Sequence, residues 1–365
     1  NVLLRSLEYM PENDHADQFI LGPEFEYYIF DEVYYWNQNH NTGFNVYSKQ
    51  AEWDRDNFDG FKVNRKQGYH ADAPHDRDRD LRAAISTALE DLGIEVKYHH
   101  HEVGGPGQHE IETERVPAEK MADDTMKIKY FIKNMAVQRG KTATFMPKPF
   151  HGEAGNGFHV HMQLLKEGET IFSSNESQYA GLSEKALHFM GGILKHTPAL
   201  MGLAAPSTNS YRRLVSGYEA PVAICFSQAN RSAVIRIPGY ATDPNDRRFE
   251  FRPGDASGNS YLTYAALLMA GLDGIEKEID PMEEGYGPID KNIYDLSEEE
   301  QANLEFLPKD LEEAIDALEK DHDFLLKGDV FSKSLIKSWL ESKKQECEYV
   351  YNRPTADEYK LYFDV

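Results

Sequence analysis

Apolar residues recur along this chain with two different periods, and the switches between them lay out its elements. Phe19 to Phe30 is a nearly unbroken apolar stretch that reads as a strand. Arg77 to Leu92 carries Leu81, Ala84, Ile85, Ala88, Leu89 and Leu92 on one helical face and stops at Gly93. Ile94 to Glu102 and Gln108 to Thr113 read as strands joined by the turn Gly104-Gly105-Pro106-Gly107. Pro117 to Arg139 is a helix with the stripe Met121, Thr125, Ile128, Ile132 and Met135, Pro117 near its start and Gly140 after its end. Phe158 to Leu164 reads as a strand and Ser183 to Leu203 as a helix. Ala220 to Pro238 holds two short strands around Asn230-Arg231-Ser232, Arg247 to Arg252 is a further strand, and Tyr261 to Ile279 is an apolar helix. From about Asp310 the pattern gives two amphipathic helices and a short tail. Asp31 to Tyr69, polar and aromatic-rich without a period, reads as a long insertion or loop. Strands and helices mix without regular βαβ alternation, which predicts an α+β fold with a largely antiparallel sheet.

The strand period also sorts the chemistry. In Gly22-Pro23-Glu24-Phe25-Glu26 the two glutamates share a face and Phe25 points into the core. Alone, such a pair reads more readily as a solvated strand face. The pattern recurs, however. His159 and His161 share a face in Phe158-His159-Val160-His161, and Arg248, Glu250 and Arg252 share one in Arg248-Phe249-Glu250-Phe251-Arg252. Glu102 ends one arm of the glycine-turned hairpin and Glu110 sits in the other, so the two converge. Four strands with one logic point to a shared polar cavity on a sheet. Its donors are mainly carboxylate with one or two imidazoles and no thiolate, a set suited to Mg²⁺ or Mn²⁺ rather than zinc or copper. The neighbours in His99-His100-His101 alternate faces and cannot all bind one ion, so a supporting role is expected for them.

Arginines crowd the loops Asn209-Ser210-Tyr211-Arg212-Arg213 and Asn230-Arg231-Ser232, with Arg236 soon after. Guanidinium groups hold carboxylates and phosphates through paired hydrogen bonds. The chain has 365 residues and a net charge of −23, a balance that argues against nucleic acid or an anionic membrane as main partner. No apolar run reaches the ~20 residues of a membrane span. The two cysteines, Cys225 and Cys347, form no C-x-x-C pair, which fits a reducing cytoplasm. Neither phosphate-loop glycine pattern is present, so nucleotide binding cannot be read from one. The residues alone therefore indicate a carboxylate-rich divalent-metal site ringed by arginines, suited to anionic substrates.

The stretches GPEFEYYIF, HHHEVGGPGQHEI, KTATFMPKP, GNGFHVHM, NSYRRLVSGYEAP, ANRSAVIRIP, RRFEFRPGD and KNIYDLSEEE, in this order, resemble glutamine synthetases of the bacterial type I class from about residue 20 to the C-terminus. The resemblance implies that family's catalytic fold, a largely antiparallel curved sheet with flanking helices, over residues 1–365. It implies that ATP, glutamate and ammonia yield glutamine, ADP and phosphate. It places one metal on Glu26, Glu102 and Glu110 and a second on Glu24, His159 and Glu250. It puts Arg213 and Arg252 on the glutamate carboxylates, Arg231 on the transferring phosphoryl group, Arg236 and His161 at the nucleotide, and the Gly155 backbone at the substrate amino group. Glu219, on the segment Gly217-Tyr218-Glu219, would close over the intermediate and take a proton from ammonium. Tyr294 aligns with the tyrosine adenylylated in one subgroup, which would make an adenylyltransferase a partner; it reads equally as an ordinary loop tyrosine. The assembly implied is a homododecamer of two stacked hexameric rings.

Ala154 stands where the family often has Asn beside the substrate, and Lys97 where the nucleotide site often has Glu. The family's β-grasp domain, which precedes this region and lends an aspartate to the neighbouring subunit's site, is expected before residue 1. Two other readings share the pattern: a relative that ligates glutamate to a polyamine or another amine, and a non-catalytic homologue. The match of Tyr211 to Pro221 and the intact metal and arginine sets favour the synthetase.

Overall fold

The computed structural model describes residues 1–365 except 14, 55–59, 178, 216–219, 229, 292, 294–295, 298–300 and 302–303. Its centre is strand β1 (Gln18–Phe30), buried on both faces and therefore apolar nearly throughout. Helix α1 (Val2–Glu12) precedes it, and the hairpin β2 (Glu32–Gln38) and β3 (Asn41–Tyr47) follows it. Next come α2 (Arg79–Asp91), β4 (Val96–His101), β5 (Gln108–Thr113), β6 (Val116–Pro117), α3 (Ala118–Gln138) and β7 (Thr142–Thr144). Then follow β8 (Phe158–Lys166), β9 (Glu169–Thr170), α4 (Glu184–Ala204), α5 (Ser210–Arg213), β10 (Ala223–Ser227), β11 (Ala233–Arg236) and β12 (Phe249–Phe251). The chain closes with α6 (Ser260–Glu276), α7 (Leu311–Lys320), α8 (Asp323–Leu326), α9 (Lys333–Tyr351) and α10 (Ala356–Tyr362).

Ten strands form one sheet in the order β10-β11-β12-β8-β1-β5-β4, with β6 and β7 also on β1 and β9 on β8. Every pairing is antiparallel except β10 with β11. Strand β1 changes partner along one edge: Leu21 faces Val116 of β6 and Glu24 faces Glu112 of β5. Pro23, which has no N–H to donate, falls in the gap between those partners.

The helices back one side of the sheet. Phe25 meets Phe158 edge-on at 5.1 Å, and Phe158 stacks on Tyr264 of α6 at 6.3 Å. Phe249 of β12 stacks on Phe172 and touches Phe189 of α4. Truncating a side chain such as Phe25 to alanine costs about 3–5 kcal/mol. Helix α6 is apolar all round because it is covered all round. It crosses α4 at Gly192 and Gly274, where an added Cβ on either would sit 2.6 Å from the other's backbone nitrogen. Among the described residues no helix is long and apolar enough to cross a membrane.

Three expectations need correction. The segment from Asp31 begins as the exposed hairpin β2–β3, because Val33, Tyr34, Tyr35 and Trp36 favour an extended backbone even without a face to bury. Helix α1 was not expected; Leu3, Ser6 and Met10 are buried at helical spacing, but the small Ser6 interrupts the apolar stripe. The C-terminal tail coils into α10, started by a capping box between Thr355 and Glu358.

Candidate functional site

The sheet register places the charged residues in rows. Glu112, Glu24 and His159 are direct cross-strand neighbours on β5, β1 and β8. Glu26 faces Glu110, and His161 faces Glu250, which faces Arg236 in turn. Adjacent strands lie roughly 4.8 Å apart, so these rows force like charges together.

The contacts answer that repulsion. Glu24 Oε2 lies 2.7 Å from His159 Nδ1, and Glu24 Oε1 lies 2.9 Å from His161 Nε2. His161 Nε2 is also 3.0 Å from Glu250 Oε2. Glu250 Oε1 forms ion pairs with Arg236 Nε at 2.6 Å and Arg252 Nε at 3.0 Å. Glu26 Oε2 accepts the Gly157 N–H at 2.7 Å. A Cβ on Gly157 would stand 2.7 Å from His159 Nε2 and 3.1 Å from Glu26 Oε1, so a larger residue here would have to displace those side chains. Gln108 Nε2 donates to the Gly155 carbonyl at 2.9 Å and leans on Glu26 at 3.3 Å.

A cavity of about 500 Å³ opens on this face. It is lined by Glu24, Glu26, Glu102, Glu110, His159 and Gly155, and by Arg213, Arg231, Arg236 and Arg252. Glu250 and His161, fully buried, lie beneath it between β8 and β12. Arg213 is held from α5 by donating Nη2 to the carbonyls of Pro253 at 2.6 Å and Gly254 at 2.8 Å. Arg252 donates to the carbonyl of Arg231. Glu219 and Tyr294 lie outside the described residues.

Burial raises the cost of a charge on Glu24, but hydrogen bonds from His159 and His161 outweigh it and hold the carboxyl well below its ordinary range. Glu250 is likewise opposed by burial and by Glu24, yet His161 and Arg236 pull it down to about 2. His161, against the cost of burial, is pushed up to about 9 by Glu250 and Glu24. Glu110 goes the other way. Burial and the nearby Glu24, Glu102, Glu26 and Glu112 raise it well above the carboxylate range.

Those opposite shifts test the fit of a divalent cation. Ligating atoms gather in two groups, Glu24–His161–Glu250 and His100–Glu102–Glu110, each within 4.8 Å. In the first, His161 stands between the two carboxylates, with His159 on Glu24's other oxygen. In the second, His100 joins the hairpin carboxylates, and Glu26 is Glu110's strand neighbour. The oxygen-rich donors match a hard divalent ion, and the raised Glu110 marks where positive charge is wanting.

Other residues at the site escaped the sequence reading. Glu112 shares the face of Glu110 at the strand period, and its Oε1 receives Lys97 Nζ at 2.6 Å. Gln108 sits on that face two residues the other way. Tyr69 and His70, which pack on His100 at 5.3 and 4.8 Å, come from an irregular segment that carries no period at all. Ala154 lines the cavity, and its carbonyl accepts the Tyr28 hydroxyl at 2.8 Å.

Comparison with known proteins agrees with this geometry. Residues 1–362 match the family model described as glutamine synthetase, catalytic domain. The glutamine synthetase of Streptomyces coelicolor is 45% identical over 369 residues, covering 100% of this chain and 78% of that protein. The cryo-EM structure of Plasmodium falciparum glutamine synthetase superposes with a TM-score of 0.87 at 31% identity, over 99% of this chain and 78% of that one. A complex of GmaS with ADP superposes with a TM-score of 0.80 at 30% identity, over 100% of this chain and 76% of that one. With a matched sheet, a carboxylate-lined cavity and relatives alike over the whole chain, the protein belongs to the glutamine synthetase family of ligases.

Proposed function

We propose that this protein joins ammonia to glutamate at the expense of ATP, through a γ-glutamyl phosphate. The observation that carries the reading is one cavity that holds both the carboxylates of β1, β5 and the hairpin and four guanidinium groups, Arg213, Arg231, Arg236 and Arg252. A carboxylate is a poor electrophile; phosphorylation gives it a leaving group. Mg²⁺ or Mn²⁺, held by Glu26, Glu102 and Glu110 and by Glu24, His159 and Glu250, would neutralise charge on the phosphate oxygens. Arg213 and Arg252 hold the glutamate carboxylates, and the Gly155 backbone meets its amino group. Arg231 offsets charge on the transferring phosphoryl group. Arg236 and His161 serve the nucleotide side; the similar GmaS structure is a complex with ADP, which supports a nucleotide as substrate. Glu219 takes the proton from ammonium and helps exclude water, which would otherwise hydrolyse the acyl phosphate. A dodecameric assembly, a cytoplasmic location and adenylylation of Tyr294 by an adenylyltransferase belong to the same reading.

The test is a phosphate-release assay on the purified full-length protein. Release should require ATP, glutamate and ammonium together. Turnover with a polyamine but not with ammonium overturns the reading. Intact-mass measurement after growth in excess nitrogen decides whether Tyr294 carries an adenylyl group.

A further inference from the structure

Beneath the hairpin β4–β5 lies a buried network that no step above uses. Residues alternate faces along a strand, so Glu110 and Glu112 turn toward the cavity while His109, between Glu110 and Gln108, turns away. Helix α2 sends the buried Arg82 under both strands. Its Nε donates to His99 Nδ1 at 3.1 Å; its Nη1 donates to His109 Nδ1 at 2.8 Å and to Asp76 Oδ2 at 2.7 Å. One guanidinium thus ties the edge strand β4, its neighbour β5 and the segment before α2. Asp76 Oδ1 accepts the Asp78 N–H at 3.0 Å, and the Asp78 carboxylate lies 3.8 Å from His109 Nε2. His99 also lines part of the cavity.

Asp76, His101 and His109 bring ligand atoms within 4.8 Å of one another and could be taken for a third metal centre. The donor inventory argues otherwise. A guanidinium only donates, so His99 and His109 must each offer a lone pair at Nδ1 and carry the proton on Nε2. To bind a cation through Nε2, His109 would have to become an imidazolate. Each oxygen of Asp76 already accepts a hydrogen bond, one of them from Arg82. The cluster is built as a clamp.

We propose that Arg82 is a positioning residue for the cation site, holding the β4–β5 hairpin at the spacing at which Glu102 and Glu110 share one ion. This rests on the reading that those two carboxylates bind a divalent cation. The need for a clamp arises on the opposite face. Glu102, Glu110 and Glu26 crowd together there, and β4 is an edge strand that, among the described residues, pairs with β5 alone. Repulsion between the carboxylates works to part the strands, and Arg82 is bonded to a side chain of each.

The experiment titrates Mn²⁺ into the full-length protein, followed by calorimetry and by electron paramagnetic resonance. Glu110→Gln and Glu250→Gln mark which class of bound ion belongs to which group of ligands. Arg82→Lys keeps the charge but loses the planar fork. It should weaken the class that Glu110→Gln removes by roughly 10–100-fold, the usual size of such supporting effects, and leave the class that Glu250→Gln removes unchanged. His99→Asn, whose amide oxygen still accepts from Arg82, should stay near wild type, and His99→Leu should not. Equal weakening of both classes, with only a lower melting temperature to distinguish the variant, overturns the proposal. So does an Arg82→Lys protein with wild-type affinities. If Arg82→Lys does not fold, the His99 pair decides: identical affinities for His99→Asn and His99→Leu overturn it. A wild-type protein with no Mn²⁺ class sensitive to Glu110→Gln overturns the functional reading itself, and the proposal with it.

Discussion

The Nε2 of His161 lies 3.0 Å from the Glu250 carboxylate, straight across the ladder between β8 and β12. Arg236 and Arg252 hold the other oxygen of that carboxylate, so Glu250 is the counter-ion for three cationic groups at once. Glu250→Gln keeps the shape and removes the charge. Phosphate release should fall at least ~100-fold, the scale of losing one preorganised electrostatic group. Circular dichroism should still report a folded protein. Unchanged turnover removes Glu250 from the chemistry.

Gly157 is the second point of attack. The Cβ of Gly157→Ala would press on His159 Nε2 and on Glu26. The imidazole can swing aside, so stability should change by no more than about 1–3 kcal/mol, the range for local overpacking. Turnover should drop more than ~10-fold, because small misplacements of reacting groups are costly. Steady-state kinetics beside a denaturant melt separate the two effects; equal kcat in the variant would show that His159 and Glu26 have room to spare.

A third prediction concerns pH and lies far from the cavity. His196 of α4 bridges Asp273 of α6 at 2.9 Å and Asp321 at 2.7 Å. Burial opposes charge on both partners. Hydrogen bonds to Asp273 and Asp321 nevertheless raise His196, and bonds from His196, Lys327 and Lys277 hold Asp273 below its ordinary range. A raised imidazole stabilises fully below its unfolded value near ~6.5 and loses that contribution as pH rises through the folded value. A depressed carboxylate stabilises above its unfolded value near ~3.9 and loses that contribution as pH falls through the folded one. This strut is therefore strongest between those two limits. In His196→Gln the fall of melting temperature above pH ~6.5 should flatten; an unaltered slope would assign it to other groups.

The thiols give a fourth. Cys225 is fully buried, and burial pushes it up to about 12; Cys347 is buried as well. Neither should react with a thiol-specific reagent in the native protein at pH 8, and both should react after denaturation. Fast labelling of Cys225 in the native state would contradict its burial within β10.

Much of the site could be read from alternation alone. Glu24 with Glu26, His159 with His161, and Glu250 between two phenylalanines each follow from a period of two, because one side of the sheet is packed with apolar residues. Which carboxylate neighbours which could not be read in that way. That depends on the strand order β12-β8-β1-β5, a matter of pairing between distant segments. Hence His161, rather than His159, sits between Glu24 and Glu250. Glu112 and Gln108 fall at the same period as Glu110, but period alone does not say how far along β5 the cavity extends. The hairpin β2–β3 hid for a different reason: both its faces are largely exposed, so no burial pattern marks it.

The long reach of β1 also sets when this wall can exist. Glu24 meets His159 across 135 residues and His161 across 137, and Glu250 joins only when β12 closes on β8. Pairing between segments so distant in the chain forms slowly, after local helices and turns. A chain still emerging from synthesis therefore keeps Glu24 apart from its two histidines and from Glu250. The corner formed by Glu24, His161 and Glu250 is complete only when β12 docks on β8, whereas Glu102 and Glu110 are brought together by their own hairpin.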